Sequence, residues 1–574
     1  MRLVIAAHGA SRGSVLGRAR VRLPHVLDVV EEHVDDVEAE LARMHDAVRI
    51  VRGEMGALQE RLKGALATEA VEFLDLHAML LDDPELLQGL DNLIRSGHYT
   101  ADYALRLQRD RIAGVFANMD DAYLRSRIDD IDQVIGRLHA ALHRREADTG
   151  GVAGEILVTD NIAPTELLQL QAQGVMAVIT AGGSMLSHSA ILARSLHLPL
   201  VVGAPQALQK INDGDVLVVD GGTGLVIREP SAIDLRAHRA RSRDYARERK
   251  QLNRLRREPS RTLDGVDIKL WANAESREDV ADAHALGAAG IGLYRTEFLF
   301  LNSPQLPDED AQFRAYRDLV LGMTGRTVTI RTLDVGADKA DRTGLALADE
   351  PNPALGVRGV RLSLLRHALF ETQLRAMVRA SAYGPVRLLV PMVCCREEVV
   401  AVRTLLNQVI ADLQAQGHAI AEHIPLGAMI EVPAAAIALP GFIGLVDFLS
   451  IGTNDLVQYL LAVDRNNESL GDLYSPLHPA VVRMLRDVVA LAHRRGKPVA
   501  VCGEMAADPL LAPLLLALGM NELSLHPATL LEVRRAIRAS NVGTLRANVP
   551  ALLRAVDRKG IEKWMHAFGI APLA

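Results

Sequence analysis

Apolar positions in the first quarter of the chain step by three and four. Val30, Val34, Val37, Leu41, Met44, Val48, Val51, Met55, Leu58 and Leu62 form one such series. That spacing lines one face of a long helix as a narrow seam. A seam of this kind needs cover, and a hairpin of two long helices is the simplest way to supply it. Asp82-Asp83-Pro84 starts a further helix, with proline near its first turn, and Gly97-His98 is a break. Residues 120–144 carry another amphipathic run.

On either side of this helical segment the pattern is different. Residues 1–20 read as a short strand, a Gly/Ser loop and a second strand, too few to fold alone. From 150 to 228 strand and helix alternate: Glu155 to Val158, a helix from Pro164 to Ala172, and Val175 to Thr180. Gly182-Gly183 then permits a tight turn, Ser187 is placed to cap a helix, and Ala190 to Leu196 continues it up to Pro199. A hairpin over 213–224 closes the segment. Residues 231–262 are charge-dense with almost no apolar face, which predicts a solvated linker helix. Beyond 265, eight short apolar runs alternate with amphipathic helices: Ile268 to Ala272, Ile291 to Tyr294, Val328 to Ile330, Arg387 to Pro391, Leu426 to Ile430, Phe448 to Ile451, Val499 to Val501 and Glu522 to Leu525. The fold class is α/β multidomain, ending in a (β/α)8 barrel.

Composition narrows the function. A chain of 574 residues exceeds one core, so two to four domains are expected. Hydrophobic content of 49% with 24% charged residues indicates a soluble globular protein. A net charge of -7 and 3% aromatics argue against nucleic acid and against aromatic carbohydrate platforms. No signal peptide and no apolar run of about 20 residues is seen. The three cysteines, Cys394, Cys395 and Cys502, lack metal-ligand spacing. A cytoplasmic protein without membrane insertion is expected.

Barrel enzymes place their chemistry at the C-terminal strand ends. Reading each apolar run to its end gives Asn273, Arg295 with Glu297, Arg331 with Asp334, Met392, Glu431, Asn454 with Asp455, Cys502 and Ser524. Convergent guanidiniums suit a phosphate. Glu431 and Asp455, with no His or Cys between them, suit a hard cation such as Mg²⁺. A phosphorylated, carboxylate-bearing small molecule fits both. Separately, His188 falls in or beside the first turn of its helix. Unpaired N–H groups and the positive dipole end there would stabilise a phosphoryl group carried on the imidazole.

Gly182, Gly183, Ser187, His188, Ile191, Ala193, Arg194, Pro199, Val202 and Gly203 resemble the phosphohistidine domain of the phosphoenolpyruvate-utilising enzymes. That domain reads Gly-Gly-Arg-Thr-Ser-His, Ile-x-Ala-Arg and Pro-x-x-Val-Gly. Met185-Leu186 stand where Arg-Thr is usual, so a guanidinium and a hydroxyl are missing beside the histidine. In the barrel, LYRTEFLF, IRTLDVGADK, NPALGVRGVRL, GAMIEVPAA, SIGTNDLVQYLLAVDRNN and VCGEMAADP resemble enzyme I of the bacterial phosphotransferase system. So do the opening residues, taken as an outlying strand pair of the phosphohistidine domain. LLDDPELL and DAYLRSRIDDID, over 80–87 and 121–132, resemble that family's helical docking subdomain.

The resemblance implies four parts. They are a swivelling phosphohistidine α/β domain (1–24 and 146–229), an inserted HPr-binding helical subdomain (25–145), a linker helix (230–262), and a phosphoenolpyruvate-binding and dimerisation barrel (263–574). It implies phosphoryl transfer from phosphoenolpyruvate to His188, then to the small phosphocarrier HPr, as the first step of sugar uptake. By the same resemblance Arg295, Arg331, Arg358, Arg465 and Asn454 surround the phosphate. Glu431 and Asp455 hold Mg²⁺, Cys502 protonates the enolate, and a homodimer forms through the barrels. The alternatives are a nitrogen-regulatory paralogue, for which a sensory domain ahead of residue 1 is expected, and a phosphoenolpyruvate-sensing scaffold. A dikinase needs a nucleotide loop, and none is read.

Overall fold

A computed structural model describes residues 2–22, 29–62, 78, 80–81, 83–117, 131, 134–139, 141–143, 153–162, 164–183, 188–196, 198–301, 306–336, 350–465, 470 and 473–570. They form two compact units, Met1–Arg249 and Lys250–Ala574.

The first unit holds an eight-stranded mixed sheet. Its strands are β1 (Leu3–Ala6), β2 (His8–Ser11), β3 (Ser14–Arg22), β4 (Glu155–Thr159), β5 (Ala177–Thr180), β6 (Leu200–Val202), β7 (Val216–Asp220) and β8 (Leu225–Arg228), in the order β1-β8-β7-β3-β4-β5-β6-β2. Strands β4, β5 and β6 are short runs rich in Val, Ile and Leu, buried on both faces as parallel strands require. The opening residues are not an outlying pair. They form three strands: β1 and β2 take opposite edges, while β3 lies inside the sheet between β7 and β4. Glycines make this routing possible, since a Cβ on Gly9 would lie 2.6 Å from the Gly221 carbonyl oxygen.

Between β3 and β4 lie α1 (Val37–Leu62), α2 (Pro84–Gly97), α3 (Ala101–Ala117) and a further helical stretch at 134–139. The seam is buried where it is helical: Leu41, Met44, Val48, Val51 and Met55 pack with Leu90, Ile94, Leu105 and Leu138. Its first position is not part of it. Val30 is 80% exposed, because α1 begins only at Val37, where the Asp36 carboxylate accepts the Ala39 N–H. Among the described residues the cover comes from α2, α3 and the 134–139 stretch. Asp83 caps α2 by accepting the Glu85 N–H, and His98 ends it in a left-handed conformation (φ 53°). The side chains of Leu58 and Leu62, and the 121–132 string apart from Ile131, lie outside the described residues.

The sheet domain carries three helices: α4 (Pro164–Ala172), α5 (His188–Ser195) and α6 (Pro205–Lys210). The charged helix is then α7 (Ala232–Arg254), and the division between units falls inside it. Its first half is not simply solvated. Arg2 pairs bidentately with Asp234 at 2.7 and 2.9 Å, Ser14 meets His238 at 2.9 Å, and Arg241 and Tyr245 reach Asp220 at 3.0 and 3.3 Å. Polar docking of this kind leaves no apolar periodicity to read.

The second unit is a closed parallel barrel. Its strands are β9 (Lys269–Ala274), β10 (Ile291–Tyr294), β11 (Val328–Arg331), β12 (Val386–Val390), β13 (Leu426–Ile430), β14 (Phe448–Gly452), β15 (Val499–Cys502) and β16 (Glu522–Leu525). Each pairs with the next, and β16 closes on β9 through Glu522↔Lys269 to Leu525↔Ala272. All eight apolar runs of the sequence are strands here, with ends shifted by at most two residues. A barrel of this kind turns the residue after each strand toward one mouth.

Candidate active site

The mouth is assembled from strand ends and the first turns that follow them. Arg331 ends β11 and Asp334 lies three residues on. Glu431 follows β13 directly, and Asp455 stands in the first turn of α8 (Thr453–Leu461), which begins straight after β14. Two backbone features admit the Glu431 carboxylate. Met392, just past β12, is held at φ 57°, and its N–H donates to Glu431 Oε1 at 2.6 Å. Gly452 leaves the other side open, since a Cβ there would lie 2.7 Å from Glu431 Oε2. A left-handed non-glycine residue at such a place stores strain that the surrounding contacts must offset.

Guanidiniums and carboxylates alternate across the mouth. Glu297 pairs with Arg331 at 3.0 Å, and Arg331 with Asp334 at 3.2 Å. Asp334 accepts two hydrogen bonds from Arg358 at 3.1 and 3.0 Å. Arg358 lies 3.6 Å from Asp455, and Arg465 lies 3.8 Å from the other Asp455 oxygen. Burial pulls the Arg331 pKa down, but Glu297, Asp334 and Glu431 outweigh it and the net shift is upward. Arg358 follows the same logic, with Asp334 and Asp455 outweighing burial. Both stay charged.

Glu431 is the opposite case. Burial, then the charges of Asp334 and Asp455, push its pKa up to about 8, against Arg331 and the Met392 N–H. Asp455 Oδ1 is buried with no hydrogen-bond partner among the described residues. A carboxyl that resists ionising beside an orphaned carboxylate oxygen marks a place short of positive charge. The described residues offer no three ligand atoms here within 4.8 Å of one another. A two-carboxylate oxygen site fits Mg²⁺, which keeps waters and substrate oxygens as its other ligands.

Cys502 ends β15 and is 2% exposed. Its Sγ accepts from the Ser450 hydroxyl at 3.3 Å and donates to the Ile451 carbonyl at 3.4 Å. Burial pushes the thiol up to about 11, with Glu431 adding and Ser450, Arg331 and Arg295 opposing. At neutral pH it therefore keeps its proton and can give it to a stronger base.

Other expected site residues have neighbouring partners. Arg295 follows β10 and pairs with Glu275 at 2.5 Å. Asn454 exchanges two hydrogen bonds with Glu504, at 3.3 and 2.9 Å. Ser524 donates to Asn273 at 2.6 Å, joining β16 to β9. Sequence reasoning did not single out Ser450 or Tyr459. Tyr459 accepts from Arg358 at 3.2 Å and donates to the Ala354 carbonyl. Its signal was its spacing, four residues past Asp455 on one helix face. Ser450 had one too, two residues before Gly452 and so on the same face of β14.

His188 belongs to the other unit. It opens α5, after β5 and the Gly182-Gly183 turn, with Gly183 at φ 91°. Helix α5 is fixed by burial of Ala190, Leu192 and Ala193 and by a Ser189 hydroxyl donated to the Ile162 carbonyl at 2.7 Å. The His188 side chain lies outside the described residues, as do Met185, Leu186 and Ser187.

Three family profiles match the chain: PEP-utilising enzyme, N-terminal, over residues 6–127; PEP-utilising enzyme, mobile domain, over 151–224; and PEP-utilising enzyme, PEP-binding domain, over 249–542. A phosphoenolpyruvate-protein phosphotransferase of Cupriavidus necator is 44% identical over 569 residues, covering 96% of this chain and 97% of that protein. A protein of the same description from Geobacillus stearothermophilus is 38% identical over 535 residues, 92% of each. One from Staphylococcus aureus is 36% identical over 562 residues, 97% of each.

Proposed function

This chain belongs to the PEP-utilising enzyme family, and on that premise we propose that it moves a phosphoryl group from phosphoenolpyruvate to His188 and from there to a histidine of HPr. It is a phosphoenolpyruvate-protein phosphotransferase, a transferase acting on a protein histidine. The observation that carries the chemistry is the barrel mouth. Permanently charged guanidiniums, a carboxylate pair short of positive charge and a protonated thiol all belong to it.

Arg331 and Arg358, with Arg295, Arg465 and Asn454 at the rim, bind the substrate phosphate. Their charge offsets the charge that builds on the transferring group, a task of positioning and electrostatics. Glu431 and Asp455 would hold Mg²⁺, which when bound neutralises substrate oxygens. His188 attacks phosphorus through a neutral imidazole nitrogen, in line with the departing enolate oxygen. The P–O bond to the enolate breaks as the N–P bond forms. Cys502 then gives its proton to the enolate's methylene carbon, yielding pyruvate and a thiolate that regains a proton from water. Because His188 and Cys502 stand on different units, His188 meets the barrel mouth and HPr in turn, by a swivel of its α/β domain about the region of α7. The helices of residues 25–145 form the HPr dock, and barrels pair in a homodimer. Sugar uptake is the downstream branch.

The test follows pyruvate release and phospho-HPr from labelled phosphoenolpyruvate with and without Mg²⁺. Label reaching HPr only when phosphoenolpyruvate, Mg²⁺ and the enzyme are all present is the expected result. Binding of phosphoenolpyruvate without pyruvate release would make the chain a sensor or scaffold. Preference for a nitrogen-branch carrier over the sugar-branch HPr would move it to the regulatory paralogue.

A further inference from the structure

A second cluster of metal-ligating side chains lies in the first unit, among the inserted helices. Asp102 stands in the first turn of α3. His139 and His143 are one turn apart, joined by the His143 N–H to His139 carbonyl bond at 3.1 Å. One ligand atom from each of the three lies within 4.8 Å of the others. His143 Nε2 meets Asp102 Oδ1 at 2.7 Å, and His139 Nε2 lies 3.5 Å from the same oxygen. The two imidazoles stack tilted, with ring centroids 4.5 Å apart. Among the described residues this is the one such group of three.

We propose that Asp102, His139 and His143 form a binding site for a divalent d-block cation of the zinc class. Two imidazoles at i and i+4 present nitrogens on one helix face, where a single ion can take both. Tetrahedral ligands about 2.0–2.1 Å from zinc stand about 3.3 Å apart. The 3.5 Å pair already meets that spacing. The 2.7 Å pair opens by about half an ångström as the ion replaces the proton it shares, which leaves to water. The carboxylate is aimed for the purpose. Arg43 donates to Asp102 Oδ2 at 3.1 Å, leaving Oδ1 to the imidazoles, and Arg43 is itself held by Glu40 at 2.8 Å. Glu40 also accepts the Ala101 N–H at 2.7 Å. An oriented carboxylate is the usual support of such a site. A fourth position is left to water, since His143 is exposed. Two nitrogens select against Mg²⁺, so this site is chemically distinct from the carboxylate pair of the barrel. The ion would pin the end of the 134–143 segment to α3 and, through Arg43, to α1.

Equilibrium dialysis of the full chain against Zn²⁺, with Mg²⁺ in excess, tests this. Glu431→Gln removes a barrel carboxylate, so any zinc held there is identified separately. His143→Gln keeps a side chain that can hydrogen-bond Asp102 but removes the imidazole ligand. One Zn²⁺ equivalent should survive Glu431→Gln and weaken at least about tenfold in His143→Gln and His139→Gln. Zinc should also raise the melting temperature of the wild type and not of His143→Gln. Absence of zinc binding, or equal affinity in wild type and His143→Gln, would overturn the site and leave a hydrogen-bonded His–Asp cluster only.

Discussion

Cys502 and Asp334 are both buried at the barrel mouth, and removing each should have a different signature. In Cys502→Ser the shape and the Ser450 contact are kept, but the hydroxyl is a much weaker acid. Turnover from phosphoenolpyruvate should fall by about 10²–10⁴-fold, while phosphoryl exchange between His188 and HPr is unchanged. Equal loss in both assays would make Cys502 structural. Asp334→Ala instead strips the bidentate partner of Arg358 and one partner of Arg331. Arg331 keeps Glu297, and Arg358 keeps Tyr459 and the more distant Asp455. Removing one partner of a buried ion pair still costs up to about 3–5 kcal/mol, so denaturant unfolding should show the barrel destabilised by that order. An unchanged midpoint would mean that water satisfies both arginines. The strand-end residues were legible as types because they follow apolar runs. Their pairings were not, since Arg331 and Arg358 are 27 positions apart in the sequence and meet only through Asp334.

Elements carry the next layer. Gly452 closes β14 where no side chain fits beside Glu431 Oε2. Gly452→Ala should shift that carboxylate and lower Mg²⁺-dependent phosphorylation by about 10²-fold, with the barrel still folded by circular dichroism. Wild-type turnover in that variant would remove Glu431 from the reaction. Helix α7 depends on Asp220, which is fully buried and accepts from Arg241, Tyr245 and the Gly222 and Thr223 N–H groups. Asp220→Ala should cost about 1–3 kcal/mol of stability for the groups left unpaired. The eight barrel strands were readable because each is a buried apolar run between amphipathic helices. Strand β3 was misjudged as part of an outlying pair, because its interior position is decided by pairing with β4 and β7, more than 130 residues away. The docking of α7 was missed because it is made by Arg2, Ser14 and Asp220, which carry no periodic signal.

At the scale of the whole molecule, the division within α7 separates the histidine from the barrel chemistry. A fragment of residues 1–255 keeps the polar contacts that hold α7 to the sheet, and it should fold cooperatively. It should accept phosphoryl from phospho-HPr and be inert to phosphoenolpyruvate, because Arg331, Glu431 and Cys502 all lie in the other unit. Direct labelling of the fragment by phosphoenolpyruvate would refute this division of labour. The order of parts was visible in the sequence as a change of period along the chain. The surroundings of His188 were not, because the Met185-Leu186 departure removes the two side chains that would have indicated how its imidazole is held.

Locating the phosphoryl group on the protein tests the central assignment most directly. The full chain is incubated with Mg²⁺ and phosphoenolpyruvate labelled on phosphorus, then digested under alkaline conditions that preserve phosphohistidine. The label should map to the peptide containing His188, in step with pyruvate release, and His188→Ala should release no pyruvate and carry no label. Label on another residue, or normal labelling of His188→Ala, would contradict it.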